Sequence, residues 1–141
     1  MSCARSPAAR SGCERGGFPV NRILVVEDEP DLAVTYERLL RRQGYRVVRA
    51  ASRADGLGVV QAAPPSLVIS DLRLPDGDGL DIVRAAQALA PPVPVIVVSA
   101  FATRASREAA LAAGAAAFLA KPFVASALLH LVRDELDHVT R

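Results

Sequence analysis

Residues 66–79, SLVISDLRLPDGDG, decide how this chain is read. Leu67, Val68, Ile69 and Ser70 form a short apolar or small run that passes straight into Asp71. Pro75, Gly77 and Gly79 mark a turn directly afterwards. A run of this length bounded by turn residues reads as a strand buried on both faces. Asp71 then stands where the strand leaves the sheet, held rigidly yet open to solvent. A single aspartate there is ordinarily a turn former or helix cap, so its meaning depends on what else reaches the same edge.

Working outward, the chain alternates strand-like and helix-like segments. Residues 23–26 read as a buried strand ending in Glu27, Asp28 and Glu29. Pro30 suits a first helical turn, and Leu32, Tyr36, Leu39 and Leu40 line one face of a helix that stops near Gly44. Residues 45–50 form a less apolar strand, in which Arg46 and Arg49 suggest an edge position. Ser52 can cap a second helix reaching residue 62, although Gly56 and Gly58 each cost roughly 1 kcal/mol against alanine. A third helix over residues 80–90 turns Leu80, Val83 and Leu89 inward.

Beyond it, Pro91, Pro92 and Pro94 precede a fourth buried strand, 95–98, ending at Ser99. A helix over 103–113 closes at Gly114, and a short fifth strand, 116–120, runs into Lys121-Pro122-Phe123. The last helix covers 124–138, with Leu128, Leu131, Val132 and Leu136 inward. Five strands alternating with five helices predict an α/β fold with a parallel sheet covered on both faces. Ligands of such sheets bind beyond the carboxyl ends of the strands, where strand order reverses.

A chain of 141 residues is one domain by length and can bury a substantial core. No apolar stretch is long enough to span a membrane. The net charge of +2 is concentrated in residues 1–21, where Arg5, Arg10 and Arg15 face only Glu14; removing these four leaves 14 basic and 14 acidic residues. That balance gives no support to nucleic-acid binding. Residues 1–21 have no hydrophobic periodicity and no signal-peptide core, and read as a disordered tail before a domain spanning 22–141. Cys3 and Cys13 both lie in the tail, without metal-ligand spacing, and read as free thiols of a cytoplasmic protein.

The strand ends carry the chemistry. The first delivers Glu27 and Asp28, the third Asp71, the fourth Ser99 and the fifth Lys121. Crowded carboxylates repel unless a cation holds them, and hard oxygen ligands suit Mg²⁺. Lys121 is the one lysine among 17 basic residues, a compact point charge in a chain that otherwise uses arginine. Singly, each has a plain explanation. Adjacent acids start helices, Ser99 is a turn residue, Lys121 is solvated surface, and Phe118 is core. Together at the right strand ends they form a constellation.

The stretches ILVVEDEP, VISDLRLPDGDG, VIVVSAF and GAAAFLAKPF resemble the receiver domain of bacterial two-component response regulators, over residues 21–138. The resemblance implies a doubly wound, flavodoxin-like sheet of strand order 2-1-3-4-5. It implies that Asp71 accepts phosphate, and that Asp28, Asp71 and the Arg73 carbonyl bind Mg²⁺ with Glu27 acting through water. Lys121 pairs with the phosphoryl group, Ser99 hydrogen-bonds it, and Phe118 is the aromatic that moves inward. Lys121-Pro122 is expected to be cis. Serine at 99 and phenylalanine at 118 stand where threonine and tyrosine are frequent, and both should preserve the switch.

The implied partners are a sensor histidine kinase or phosphotransfer protein, docking on the first helix, and a downstream protein on the fourth helix, fifth strand and fifth helix. The implied role is that of a phosphoacceptor in a phosphorelay with some autodephosphorylation, not a turnover enzyme. A haloacid-dehalogenase-like phosphatase also uses an aspartate after a strand, but places a second acid two residues on, where this chain has Arg73. The intact set of Glu27, Asp28, Asp71, Ser99 and Lys121 also argues against a pseudo-receiver that only binds. The segment 114–118 lacks the acids with which some DNA-binding members pair across that face. Of a stand-alone regulator and a piece of a longer protein, the first is therefore expected, with a homodimer left open. Members commonly begin near Val20-Asn21-Arg22, so residues 1–19 are expected to be untranslated or dispensable.

Overall fold

The computed structural model of the chain describes residues 21–139. The expectations about the tail, its two cysteines and its dispensability lie outside them. Five strands form one parallel sheet: β1 (Arg22–Val26), β2 (Arg46–Ala50), β3 (Leu67–Asp71), β4 (Val95–Ser99) and β5 (Ala117–Ala120). Their spatial order is β2-β1-β3-β4-β5, as the resemblance implied. Five helices connect and follow them: α1 (Pro30–Arg42), α2 (Arg53–Ala62), α3 (Leu80–Gln87), α4 (Arg104–Ala113) and α5 (Ala125–Val139).

The period of two along each strand divides the core between the sheet's faces. Ile23, Val25, Leu67, Ile69, Ile96 and Val98 meet Tyr36 and Leu40 of α1 and Leu128, Val132 and Leu136 of α5. Leu24, Val26, Val68, Val95 and Val97 meet Val60 of α2, Leu80, Ile82, Val83 and Ala86 of α3, and Ala110 of α4. Each such aliphatic side chain contributes about 1.5–3 kcal/mol on full burial. Past Arg22 at the start of β1, neither face has room for a polar residue on the three central strands until their carboxyl ends. That confines the acidic groups of these strands to the carboxyl edge.

Local signals place the helix ends. Pro30 begins α1, Ser52 Oγ accepts from Asp55 N at 3.1 Å to cap α2, and Thr103 Oγ1 accepts from Ser106 N at 3.0 Å to cap α4. Gly114, with φ of 111°, closes α4 in the left-handed region. Gly56 repays its helix cost by close packing: a Cβ there would lie 2.9 Å from Ile82 Cδ1 and 3.0 Å from a Val26 methyl. Beyond one-residue shifts at other ends, three features differ from the sequence reading. α3 ends at Gln87 rather than 90, where Val93 N and Leu89 N turn back to the Ala86 carbonyl. Its inner face adds Ile82 and Ala86, while Leu89 is only partly buried. A two-residue antiparallel ribbon, Arg73–Leu74 with Gly77–Asp78, occupies what reads in sequence as a plain turn. The Lys121-Pro122 peptide is cis, and so is Ala90-Pro91.

Hydrogen bonds from the Ala54 and Arg53 amides hold the Asp76 carboxyl below the usual carboxylate range. The Arg53 side chain does the same for Asp81, with Arg84 adding to it. Depressed carboxyl pKa values stabilise the fold above the unfolded value of about 4, and that contribution is lost as pH falls through the folded values. Asp81→Asn should therefore lower the thermal midpoint at neutral pH and flatten its decline below about pH 4. Thermal melts across that range check this.

Candidate functional site

Strand order reverses between β1 and β3, and their carboxyl ends stand side by side, with Val26 opposite Ser70. Glu27 leaves β1 with its amide donating to the Ala50 carbonyl at 3.0 Å and its side chain only 2% exposed. Asp71 is the last residue of β3 and half-buried, while Asp28 is exposed. Carboxylate oxygens of Glu27, Asp28 and Asp71 all lie within 4.8 Å of one another. Lys121, just past β5, donates through Nζ to Asp71 Oδ2 at 2.9 Å and to Glu27 Oε1 at 3.1 Å. The other Glu27 oxygen accepts from Glu29 N at 3.2 Å.

The electrostatics follow from this crowding. Burial pushes the Glu27 carboxyl up, against the pull of the Lys121 ammonium. Ionised Glu27 is thus a stability cost that grows as pH rises through its raised pKa. Burial works against charge on Lys121, but the hydrogen bonds and charges of Asp71 and Glu27 outweigh it and raise the ammonium's pKa. Lys121 therefore stays charged. Three carboxylates face one ammonium, and among the described residues no cation pairs with Asp28. Hard oxygens, one of them solvent-facing, with negative charge in excess, fit a divalent cation such as Mg²⁺.

Ser99 ends β4 buried, beside Asp71's strand, and its Oγ accepts from Phe101 N at 2.9 Å. That bond uses an oxygen lone pair and leaves the O–H to donate. Lys121 N donates to the Ser99 carbonyl at 2.8 Å, which ties the ends of β4 and β5 together. Five of the expected residues thus meet on one edge. The Arg73 side chain goes elsewhere: its guanidinium lies 4.4 Å from the centroid of the Phe101 ring. Phe118 sits opposite Val97, two positions before Ser99, and is buried on the face covered by α2, α3 and α4. The Arg107 guanidinium of α4 lies 5.0 Å from its ring centroid.

Tyr36 escaped the sequence reading, which took it only as an inner-face residue of α1. Its ring stacks on Phe123 with centroids 5.9 Å apart. Burial pushes its hydroxyl up to about 12, so it stays protonated beside Lys121 and the carboxylates. A tyrosine among leucines on one helix face gives no sequence signal for this.

The profile of the response regulator receiver domain matches residues 23–133. The transcriptional regulatory protein PrrA of Mycobacterium tuberculosis is 38% identical over 117 residues, 83% of this chain and 50% of PrrA. The chain thus spans about half the length of that relative. Among solved structures, a CheY-like receiver domain protein from Methanospirillum hungatei superposes with a TM-score of 0.80 at 30% identity, covering 84% of this chain and 95% of that one. A response regulator from Burkholderia pseudomallei, solved with a phosphorylated aspartic acid and a calcium ion, gives a TM-score of 0.74 at 26% identity, over 85% and 71% of the two chains. With its doubly wound sheet and the acidic cluster at the reversal point of that sheet, the chain belongs to the receiver domains of two-component response regulators.

Proposed function

We propose that this chain takes a phosphoryl group onto Asp71 from the phosphohistidine of a sensor kinase or phosphotransfer protein, and so changes the surface formed by α4, β5 and α5. The observation that carries this is the meeting of Asp71 Oδ2 with Lys121 Nζ at 2.9 Å, beside the Glu27 and Asp28 carboxylates. An Asp71 oxygen attacks phosphorus, a new O–P bond forms, and the P–N bond breaks with its electron pair returning to the donor imidazole. Lys121, kept charged by its two carboxylate partners, offsets the negative charge on the transferring oxygens. Ser99 offers its O–H to one of them and, through its position on β4, carries the change towards Phe118.

Asp28, Asp71 and the Arg73 carbonyl would hold Mg²⁺, with Glu27 reaching it through water. The cation would supply positive charge over the phosphoryl oxygens. A phosphatase reading has no support at Arg73, whose guanidinium lies on Phe101 rather than at the carboxylates. The test is incubation with acetyl phosphate and Mg²⁺, followed by intact-mass measurement and borohydride mapping. One phosphoryl group at Asp71 is expected. No incorporation, or incorporation at another carboxylate, overturns the proposal.

Arg73 and Phe101 also bear on how long the phosphoryl group lasts, because water must approach it in line. Phe101 is 56% exposed, and the guanidinium of Arg73, itself exposed, lies over its ring. Two residues beyond Asp71 and Ser99, the pair would cover the mouth of the site. Arg73→Asn with Phe101→Ala should speed loss of phosphate severalfold while leaving its uptake intact. Decay of labelled protein after removal of the donor measures this, and an unchanged rate would show that the pair does not gate water.

A further inference from the structure

The β2–α2 turn is bonded to both loops that carry the carboxylates. At one end the Ala50 carbonyl accepts from Glu27 N at 3.0 Å. Three residues later the Arg53 and Ala54 amides, the first two of α2, donate to opposite oxygens of Asp76 at 2.7 and 3.0 Å. Asp76 belongs to the loop after Asp71, more than twenty residues further along the chain. The Arg53 side chain then lies across Gly77, where a Cβ would fall 2.6 Å from its Cδ. It ends on Asp81 Oδ2 at 2.7 Å, at the start of α3. Arg53 thus grips the acceptor loop from both sides.

Asp76 is exposed, so burial does not account for its placement. Ser52 caps only the Asp55 amide, so Asp76 completes the start of α2 with a carboxylate brought in from another loop. What its two bonds add is a fixed distance between the loop holding Asp71 and Arg73 and the loop holding Glu27 and Asp28. We propose that Asp76 is a positioning residue for the cation site, acting through the Arg53–Ala54 amides to set the separation of those two loops. This rests on the proposed Mg²⁺ site and adds a residue outside its ligands. The effect is on binding. A loop released from α2 samples other conformations and must be re-ordered when the ion enters.

The experiment is calorimetric titration of Mg²⁺ into the full chain and into Asp76→Ala, Asp76→Asn and Ser52→Ala. Asp76→Ala should bind about tenfold more weakly, at the low end of what outer groups contribute to metal sites. Asp76→Asn, which keeps one acceptor oxygen, should fall between it and the unmodified chain and serves if the alanine variant folds poorly. Ser52→Ala weakens the same helix without touching the loop, so it should lower the thermal midpoint and leave affinity unchanged. Wild-type affinity in both Asp76 variants overturns the inference, as does an equal loss in Ser52→Ala. Absence of Mg²⁺ binding by the unmodified chain would instead overturn the reading of the site itself.

Discussion

Asp71→Asn is expected to reduce phosphorylation by acetyl phosphate to background. Asparagine keeps the shape and still accepts from Lys121 Nζ through its amide oxygen, so the end of β3 should hold its place. It loses the charged nucleophile, and no rearrangement restores one at that atom. Glu27 is 3% exposed and committed to Lys121 and Glu29 N, which leaves it poorly placed to attack in place of Asp71. Asp28 is exposed and close enough to be the more instructive control. Acid-labile phosphate incorporated at the unmodified rate would sink the assignment, and slow incorporation mapped to Asp28 would reveal a substitute acceptor. A matched Mg²⁺ titration separates loss of the nucleophile from loss of the cation, since Asp71 serves both roles in the proposed site.

The second large effect is expected at Lys121→Arg, a change that keeps the charge. Lys121 is 15% exposed, its stem closed in by the sheet edge, and its ammonium sits at 2.9 and 3.1 Å from two carboxylates on different strands. A point charge with rotatable donors can satisfy both, and can shift to a phosphoryl oxygen when one arrives. A planar guanidinium is wider and presents its donors in a fixed fork. Forcing it into this space should cost about 1–3 kcal/mol through overpacking. It should also slow phosphorylation towards the roughly hundredfold loss seen when one well-placed stabilising group is removed. Mg²⁺ affinity should survive better than the rate, because the three carboxylates are untouched. A variant matching the unmodified chain in rate and in melting would show that lysine at this position is incidental.

Much of the molecule follows from local pattern. The runs at residues 23–26, 67–70 and 95–98 are apolar on both parities, so they can only be central strands. The arginines of β2 mark it as an edge, and Ser52, Thr103 and Gly114 place helix ends through bonds to their near neighbours. Once the strands are located, the carboxyl-end rule puts Glu27, Asp28, Asp71, Ser99 and Lys121 on one edge without any knowledge of side-chain direction. The early stop of α3 was not legible, because residues 88–90 are helix-compatible and only the turn of Leu89 and Val93 back to Ala86 ends it.

Which side chains meet across the edge was decided by tertiary structure alone. The guanidinium of Arg73 lies over the ring of Phe101, brought over from the end of β4. Phe118 is covered by Arg107 from a neighbouring helix, and Tyr36 acquires its raised pKa from burial against Phe123 and the site. Asp76 reads as one more acid in a PDGDG turn until α2 comes to lie against it. The reason is common to all four. Periodicity and capping act within a few residues, so sequence carries them directly. The direction of a long or exposed side chain depends on partners dozens of residues away, and these become neighbours only when the sheet and its helices have packed.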